Sequence, residues 1–569
     1  MKRLLIIISL LFLLVTPVYA EAPNNKFGIH LAQPHLEELK NTASLVNSTG
    51  GDWGYITLVI QENDQDKAKW QEIFDLLREY HLIPIVRLAT KPTAAEASAG
   101  KPEGSFWRRP EEKDAQAWVD FLESLNWVVK DRYIILFNEP NHATEWGGQV
   151  DAVDYAQTSL ALAKKLKEKN PDYYLMLAGL DASAPHSPPL FEDEEVFIKE
   201  ILNYKFEIFN YIDGWTSHSY PNPGFTGSPW DYGRGTVRTY QWELDLLREL
   251  GVNKKLLVFI TETGWDGQKL SRDTVASYFQ TVFENVWLPD ERVRAVTPFV
   301  LDYQTDPFLG FSWKLFNNSE YYQQYYTVQS LSKTKGQPAQ TDKGEIILDL
   351  PKQLVAYSSF DLNIRIKNNG QAFWDKKDGY KLILVSEQKK VFEYIFSDIK
   401  NLRPFQEINI NFFIKTNSFL RKNKIKFYLY KDNKKILESK DWQFEVVPLP
   451  SLKYAVSLLP KLISGGDNFQ IQIFNNQENL VFKKTGLKMS VGKGELTDIQ
   501  NIIPGKKYRL VILKPYYLPR QEYIVFQKEN NQIKFKQMWP LDFNQDGKLT
   551  LNDLKTLIKN PKLLFLLSP

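Results

Sequence analysis

The feature that most constrains this chain is a regular alternation, from Lys26 to about Trp313, of short apolar segments with longer amphipathic ones. Such a rhythm is typical of parallel strands joined by helices that cover the sheet. The apolar segments predict eight strands, at residues 27–31, 55–61, 83–88, 133–137, 174–179, 214–218, 257–261 and 295–301. Eight is the number that a closed barrel requires.

The length of this region also fits a closed barrel of eight strand–helix units. About 290 residues agree with the typical size of a TIM barrel, about 250 residues plus insertions. An open, doubly wound sheet is the alternative fold. No Gly-rich phosphate loop follows the first predicted strand, as such a sheet often shows. We therefore predict an α/β fold, with a (β/α)8 TIM barrel over residues 21–340.

After about Asp342 the helical patterns disappear and alternating runs, such as 360–366 and 408–414, predict an antiparallel β-sandwich over residues 341–447. The stretch from Asn368 through Gly370 to Trp374 resembles the Asn-x-Gly-x-x-x-Trp pattern of Ig-like accessory domains. Pro448 and Pro450 indicate a stiff linker. A second β-rich domain is predicted over residues 448–538, followed by a short segment at 539–569.

The N-terminus predicts export. Lys2 and Arg3 precede an apolar run at residues 4–15, and small residues at Val18 and Ala20 suit cleavage after Ala20. Residues 1–20 are therefore a predicted signal peptide, with a retained membrane anchor as the alternative. We expect a secreted or cell-surface protein with no stable membrane span after cleavage. With no Cys, the chain has no disulfides and must rely on packing, with bound metal as an optional further source of stability.

The overall charge argues against a nucleic-acid partner. The chain has 71 Lys and Arg against 68 Asp and Glu, a net charge of +3. Because nucleic-acid binding generally depends on a basic excess, this balance argues against that class of function.

Two predicted strands end in a glutamate. The apolar run 134–137 leads into Asn138, Glu139 and Pro140, and the run 257–260 leads into Thr261 and Glu262. Barrel enzymes build their active sites at this carboxyl end of the strands. A single glutamate there is often only a helix cap or a solvated loop residue. Two of them, after the fourth and seventh strands, suit glycosidic hydrolysis, in which one carboxyl donates a proton and the other attacks the anomeric carbon.

Together, Asn138-Glu139-Pro140 and Thr261-Glu262-Thr263-Gly264-Trp265 resemble clan A of the retaining glycoside hydrolases, which includes families 5, 39 and 53. The resemblance covers about half of the chain. It implies that Glu139 is the acid/base, that Glu262 is the nucleophile and that Asn138 contacts the sugar 2-hydroxyl. It also implies a carboxyl separation of about 5–5.5 Å, with no cofactor for catalysis.

Retaining catalysis requires Glu262 to be charged while its partner is protonated, so we expect a cation or a hydrogen-bond donor beside it. Arg87, at the end of the third strand, is the predicted cation. In the clan, a residue of the sixth strand commonly touches the nucleophile, and the resemblance gives that role to His218 and Tyr220. His30, at the end of the first strand, is predicted to line the sugar pocket. A purely structural hydrogen-bonding role is the alternative for both histidines.

Tryptophans near the predicted rim could offer ring faces to a sugar. Trp265 directly follows the nucleophile motif, and Trp146, Trp230 and Trp313 lie in or near rim loops. Packing in the core is the alternative for each. Many clan members have a Trp at the end of strand eight, where this chain has Asp302 and Tyr303.

The C-terminal segment contains a calcium-loop pattern around Gly547, which provides the tight turn at its sixth position. The predicted ligands are Asp542, Asn544, Asp546, the carbonyl of Lys548, and Asp553. An Asp at the last position resembles dockerin modules, although these have two loops and this chain has one. The sequence predicts a structural Ca²⁺, with a cell-surface or cohesin-like binding partner. A polar turn without metal is the alternative.

The combined interpretation is a secreted retaining glycoside hydrolase that cleaves a β-linked polysaccharide or oligosaccharide. Two alternatives remain open at this point. One is a non-catalytic glycan-binding surface or adhesion protein on the same scaffold. The other is a transglycosylase, which would use the same residues.

Overall fold

The computed structural model describes residues 22–94, 105–386, 393–418, 420–459 and 466–567. The chain divides into two compact units, Met1–Thr341 and Asp342–Pro569, which are described separately. The predicted signal peptide lies outside the described residues. Within the described ranges, no helix is long and apolar enough to cross a membrane.

The first unit contains the predicted sheet of eight parallel strands, which pair in chain order. The strands are β1 Gly28–His30, β2 Gly54–Gln61, β3 Leu82–Ala89, β4 Arg132–Leu136, β5 Tyr173–Leu177, β6 Gly214–His218, β7 Leu257–Glu262 and β8 Val293–Val296. A parallel bridge from Phe27 to Val296 joins the first and last strands and closes the sheet into a barrel. The last strand ends earlier than predicted, although beyond it the Thr297 N–H still donates to the carbonyl of Ile260 in β7.

Helices alternate with these strands and cover the outside of the barrel. They are α1 Leu36–Val46, α2 Lys67–Glu79, α3 Ala115–Ser124, α4 Ala152–Lys169, α5 Glu194–Lys205, α6 Thr239–Glu249, α7 Arg272–Val282 and α8 Gln323–Ser330. Local sequence explains their limits. The Asp66 carboxylate caps α2 by accepting the N–H groups of Ala68 and Lys69, and helical spacing buries Trp70 and Phe74 of the same helix against the sheet.

Aromatic rings fill the barrel interior near the amino ends of the strands. Tyr55, Tyr133, Tyr174 and Phe259 pack with ring centroids 5.0–6.4 Å apart. Tyr133 is the second residue of β4, whereas Glu139 follows the other end of that strand. The rings therefore close one end of the barrel, and the opposite rim is left for a site.

The second unit begins with two sheets that enclose one hydrophobic core. Their strands are β9 Gly344–Ile347, β10 Gln353–Val355, β11 Ser359–Asn368, β12 Tyr380–Ser386, β13 Glu393–Phe396, β14 Glu407–Lys415, β15 Lys422–Lys431, β16 Lys434–Glu438 and β17 Trp442–Val447. One sheet has the order β9-β11-β14-β13. The other has the order β10-β17-β15-β12, with β16 paired to β15.

The Asn-x-Gly motif has a structural role in this sandwich. The Asn368 amide donates to the carbonyls of Ala372 and Leu402, and its oxygen accepts the N–H of Gly370. The indole of Trp374, which is fully buried, donates to Asp342. The motif thus satisfies the backbone groups of a tight turn around a core tryptophan.

A second pair of sheets follows, around a core of its own. Its strands are β18 Leu452–Ala455, β19 Gly466–Phe474, β20 Leu480–Met489, β21 Lys493–Leu496, β22 Lys507–Lys514, β23 Tyr517–Val525 and β24 Asn531–Lys534. They form the sheets β21-β18-β24 and β20-β19-β22-β23. The chain then passes through the predicted calcium loop into α9, Leu551–Lys559, which Thr550 and Asp553 cap reciprocally.

Candidate active site

Glu139 and Glu262 meet at the carboxyl rim of the barrel. Glu139 lies three residues after the end of β4, and Glu262 is the last residue of β7. One carboxylate oxygen of each, together with a ring nitrogen of His218, all lie within 4.8 Å of one another. Both side chains face a common space and neither points into the core. We call Glu139, Glu262, Arg87 and His218 the glutamate site.

Arg87 holds two of the predicted site residues. It is the sixth residue of β3, and its Nη1 donates to Glu262 Oε1 at 2.6 Å and to Asn138 Oδ1 at 2.6 Å. Such charge-assisted contacts are strong and fix the geometry of the carboxylate. The guanidinium therefore places Asn138 beside Glu262, although the two residues are far apart in the sequence.

His218 bridges the two glutamates. Its Nδ1 lies 2.7 Å from Glu139 Oε1 and 3.8 Å from Glu262 Oε2. Burial disfavours the charged ring, but the charge of Glu262 and the hydrogen bond to Glu139 outweigh it, and the pKa of His218 is raised. The two glutamates therefore favour the protonated form of the imidazole.

Tyr220 and His30 complete the surroundings of Glu262. The Tyr220 hydroxyl donates to Glu262 Oε2 at 3.1 Å. The Nδ1 of His30 lies 3.9 Å from Glu262 Oε1 and has no hydrogen-bond partner among the described residues. Burial and the charge of Arg87 lower the pKa of His30 to about 3, so this ring is neutral. Its free nitrogen faces the space beside Glu262.

These neighbours determine the charge of Glu262. Its carboxyl is buried, which alone would raise its pKa, but the charges of His218 and Arg87 act in the opposite direction and the pKa of Glu262 is lowered. Glu262 is therefore an anion at neutral pH. An anionic carboxylate in this setting can act as a nucleophile.

The turn that carries Glu139 has an unusual backbone. Phe137 and Glu139 have φ angles of +73° and +32°, and such conformations cost about 1–3 kcal/mol each in a residue with a side chain. The Glu139 N–H donates to the carbonyl of Gly179 at 3.2 Å, which supports the turn. Gly179 must lack a side chain, because a Cβ there would clash with the ring of His218. The turn and the histidine therefore depend on one another.

Glu145, in the one-turn helix Ala143–Glu145 after the Glu139 turn, is a site residue that was not predicted from the sequence. Burial and the charge of Glu139 raise the pKa of Glu145 to about 7, whereas Arg87 and a hydrogen bond from Asn138 act against the increase. Its position six residues after Glu139 was the only available signal. Glu145 adds a third carboxyl to the site, one that changes charge near neutral pH.

The tryptophans that were predicted to lie at the rim are mostly core residues. Trp265, Trp146 and Trp313 are each at most 1% exposed, so none offers a ring face to a sugar. Trp265 packs against Phe279, and its indole donates to the carbonyl of Gly227. The expectation of a sugar contact from Trp265 is therefore corrected, because its ring is packed in the core. Trp230, by contrast, is 55% exposed.

Glu139, His218 and Glu262 also form the one group of three or more acidic or histidine side chains, among the described residues, with ligand atoms close enough to share a metal ion. Arg87 already occupies Glu262 Oε1. A divalent cation at this point would lie against a guanidinium of the same charge. The donor set therefore fits an organic substrate better than a metal.

Comparisons with known proteins assign no family to this chain. No protein-family profile matches it, and no curated protein is similar to it in sequence. A solved endo-β-1,4-glucanase from Xanthomonas axonopodis pv. citri, carrying a triple mutation, is similar at 14% identity, with 53% of this chain and 98% of that chain covered and a TM-score of 0.35.

Two further solved structures are similar at the same level. A glucosidase from Croceicoccus marinus matches at 10% identity over 84% of this chain and 96% of that chain, with a TM-score of 0.40. A family 5 xyloglucanase from Paenibacillus pabuli matches at 12% identity over 52% and 89%, with a TM-score of 0.31. Similarity this low assigns neither fold nor activity, so the functional argument depends on the geometry of the site.

Proposed function

We propose that the first unit is a retaining glycoside hydrolase that cleaves O-glycosidic bonds of a β-linked polysaccharide or oligosaccharide. One observation carries the proposal: Glu139 and Glu262 bring carboxylate oxygens within 4.8 Å of each other at the rim. Retaining enzymes have their two carboxyls about 5–5.5 Å apart, whereas inverting enzymes need about 6.5–9.5 Å to admit a water molecule.

In the first step, the Glu262 carboxylate attacks the anomeric carbon and the bond to the leaving oxygen breaks. Arg87 and Tyr220 hold one oxygen of Glu262 each, so the attacking carboxylate has little freedom to rotate. The product of this step is a glycosyl ester on Glu262. Water then hydrolyses this ester with inversion, and the two inversions together retain the configuration.

Glu139 gives a proton to the leaving oxygen in the first step and takes one from water in the second. His218 lies at hydrogen-bond distance, 2.7 Å, from Glu139 Oε1. The proton can therefore reside on either group of this pair. As Glu262 becomes an ester, it loses the negative charge that favours the imidazolium, and the proton affinity of His218 falls.

Exposed rings in the rim loops suit a saccharide substrate. Trp230 and Tyr232 lie in the loop after β6, and Phe308 and Phe316 lie beyond β8; all four are 40–77% exposed. Rings of this kind pack against the C–H faces of sugars. Asn138, held by Arg87 beside Glu262, is suited to bind a hydroxyl next to the reacting carbon.

The test is an activity screen on cellulose, mannan, xylan, galactan and aryl β-glycosides, with wild type, Glu262→Gln and Glu139→Gln. We expect turnover of at least one substrate, its near-complete loss in Glu262→Gln, and a smaller loss in Glu139→Gln on aryl glycosides, whose leaving groups scarcely need protonation. Glu249→Gln, an exposed glutamate of α6, is the matched control.

Two results would replace the proposal. Glycan binding without turnover in the wild type would make the protein a non-catalytic glycan-binding protein. Products longer than the substrate, formed with a second sugar as acceptor, would make it a transglycosylase.

We further propose that the C-terminal loop binds a structural Ca²⁺ in an exported protein. Asp542 is buried, and burial together with the charges of Asp553 and Asp546 raises its pKa. No described Lys or Arg forms an ion pair with these three carboxylates, so their repulsion favours a cation. The donor types fit Ca²⁺. Among the described residues, only the glutamate site brings three such groups within 4.8 Å of one another. The three carboxylates of the loop must therefore move closer together to bind the ion.

A further inference from the structure

The second unit contains a cleft lined by four lysines. Lys422 and Lys424 come from β15, Lys352 precedes β10, and Lys506 follows the turn at Pro504 and Gly505. The cleft has a volume of about 870 Å³, within the range of about 300–1,000 Å³ of ligand pockets. We call it the lysine cleft.

Three of these lysines have no opposite charge to balance them. Among the described residues, no carboxylate lies within ion-pair distance of Lys352, Lys422 or Lys506, whereas Lys424 pairs with Asp441 at 3.1 Å. The only acid of the lining is Glu445, and its carboxylate accepts from the Gln353 amide at 3.1 Å. The cleft therefore has a positive potential that an anionic ligand would satisfy.

An exposed amide in the lining offers a second kind of ligand group. The side chain of Gln443 is exposed and lies on the same face of β17 as Glu445. An amide accepts a hydrogen bond through its oxygen and donates through its nitrogen. Sugar hydroxyls both donate and accept, so they are complementary to this group.

The walls of the cleft are held together by hydrogen bonds and packing. The Asn501 side chain accepts the N–H of Ser359, and its backbone N–H donates to Ser358, both at 2.9 Å. Ile503, next to the turn that carries Lys506, packs against the core of the first sandwich. The lysines therefore line a preformed site, which reduces the entropy cost of binding.

We propose that the lysine cleft binds a segment of an acidic glycan, a saccharide that carries both hydroxyl and carboxylate groups. The lysines bind the carboxylates, and the Gln443 amide binds a sugar hydroxyl. A flat lipid surface cannot enter a concave cleft. Single-stranded nucleic acid binds through stacking on exposed rings, and the one aromatic residue of the lining, Phe444, is buried.

The test is a calorimetric titration of the full chain carrying Glu262→Gln, so that no ligand is cleaved. The probes are polygalacturonate oligomers and the same oligomers with methyl-esterified carboxyls. We expect the acidic oligomers to bind about tenfold or more tightly than the esters, with affinity that falls as salt is added. Because binding is measured without turnover, an absence of binding to the cleft would not contradict the proposed hydrolase activity. An absence of hydrolase activity would likewise not contradict binding to the cleft.

Three variants locate the binding. Lys352→Gln with Lys422→Gln should weaken it about tenfold, whereas Lys434→Gln with Lys440→Gln, exposed lysines outside the cleft, should leave it unchanged. Glu445→Gln keeps the hydrogen bond to Gln353 but removes the negative charge, and should tighten binding about threefold. A variant that binds more tightly cannot be explained by misfolding.

Three results would overturn the proposal. Two of them are equal affinity for acidic and esterified oligomers, and equal losses of affinity in the cleft and control variants. It is also overturned if inorganic phosphate, anionic phosphatidylglycerol vesicles or single-stranded DNA bind the cleft as tightly as the acidic oligomers.

Discussion

The glutamate site of the first unit and the lysine cleft of the second treat charge in opposite ways. At the glutamate site, Glu262 has the Arg87 guanidinium within 4 Å, and Glu139 has the imidazole of His218 at that distance. At the lysine cleft, three cations have no carboxylate at that distance among the described residues. Charges compensated within the protein are suited to chemistry, because their geometry is fixed. Uncompensated charges are suited to binding, because only a ligand can neutralise them.

The same contrast extends to the two units as wholes. Residues 1–341 contain 45 Asp and Glu against 33 Lys and Arg, a net charge of −12, whereas residues 342–569 contain 38 Lys and Arg against 23 Asp and Glu, a net charge of +15. The overall charge of +3 conceals this separation. A basic second unit would be attracted to an acidic polymer over distances of about 10 Å at moderate salt.

The largest expected effect comes from removing the positive charge of Arg87 beside Glu262. In Arg87→Met, the pKa of Glu262 should rise, because burial then acts against one cation fewer. The acidic limb of the kcat/KM profile should move to higher pH, with a loss of about 10³-fold at neutral pH. Arg248→Met, an exposed arginine of α6, is the control. An unmoved acidic limb would show that Arg87 does not set the charge of Glu262.

A smaller loss is expected from displacing the His218 ring without removing it. A Cβ in Gly179→Ala would meet the His218 ring. The ring must move away from Glu139, and kcat/KM should fall roughly tenfold to 100-fold. Gly466→Ala, where a Cβ has only ordinary contacts, should change nothing. A thermal unfolding measurement on both variants separates loss of alignment from loss of fold, and unchanged kcat/KM in a folded Gly179→Ala would exclude the alignment role.

The proposed calcium loop extends the comparison to carboxylates with which no described Lys or Arg forms an ion pair. Asp542→Asn removes one of three charges, and Ca²⁺ affinity in the full chain should fall about tenfold. Asp498→Asn, at an exposed residue in the segment after β21, is the control. The pKa of Asp542 is raised, and a proton on this carboxyl competes with the metal. The Ca²⁺ affinity should therefore also fall as the solution becomes more acidic. Equal Ca²⁺ affinity in the two variants would contradict the predicted site.

The smallest effect concerns Glu145, the third carboxyl, which lies beside the glutamate site. With its pKa raised to about 7, it gains charge between mildly acidic and mildly basic pH. The resulting extra anion should change kcat/KM by about two- to fivefold, with an inflection near pH 7 that is absent in Glu145→Gln. If the inflection persists in the variant, another group causes it.

The sequence predicted the pairing of Glu139 with Glu262 for a general reason. Parallel strands deliver their carboxyl ends to one rim, so residues that follow two strands converge without any knowledge of side-chain packing. The same argument brought Arg87, His218 and His30 to the correct end of the barrel. Their individual roles stay predictions until the variants are measured.

Other features depend on details that a strand pattern does not contain. Trp265 lies three residues after Glu262 but packs against Phe279 in the core, which the strand pattern does not reveal. Glu145 follows a turn with two positive φ angles, which no propensity argument anticipated. The lysine cleft needs the register of β15 against β17 and the position of a distant turn. The separation of charge, in contrast, was readable in the sequence and was hidden by averaging over the whole chain.

The central claim is that Glu139 and Glu262 act across one sugar-sized gap by double displacement. Its most direct test is proton NMR of the first sugar released from a β-linked substrate found in the screen, recorded before the anomers equilibrate. We predict that the β anomer appears first and the α anomer only later, by mutarotation. Initial release of the α anomer would contradict the account, because it would require a water molecule between the two carboxyls.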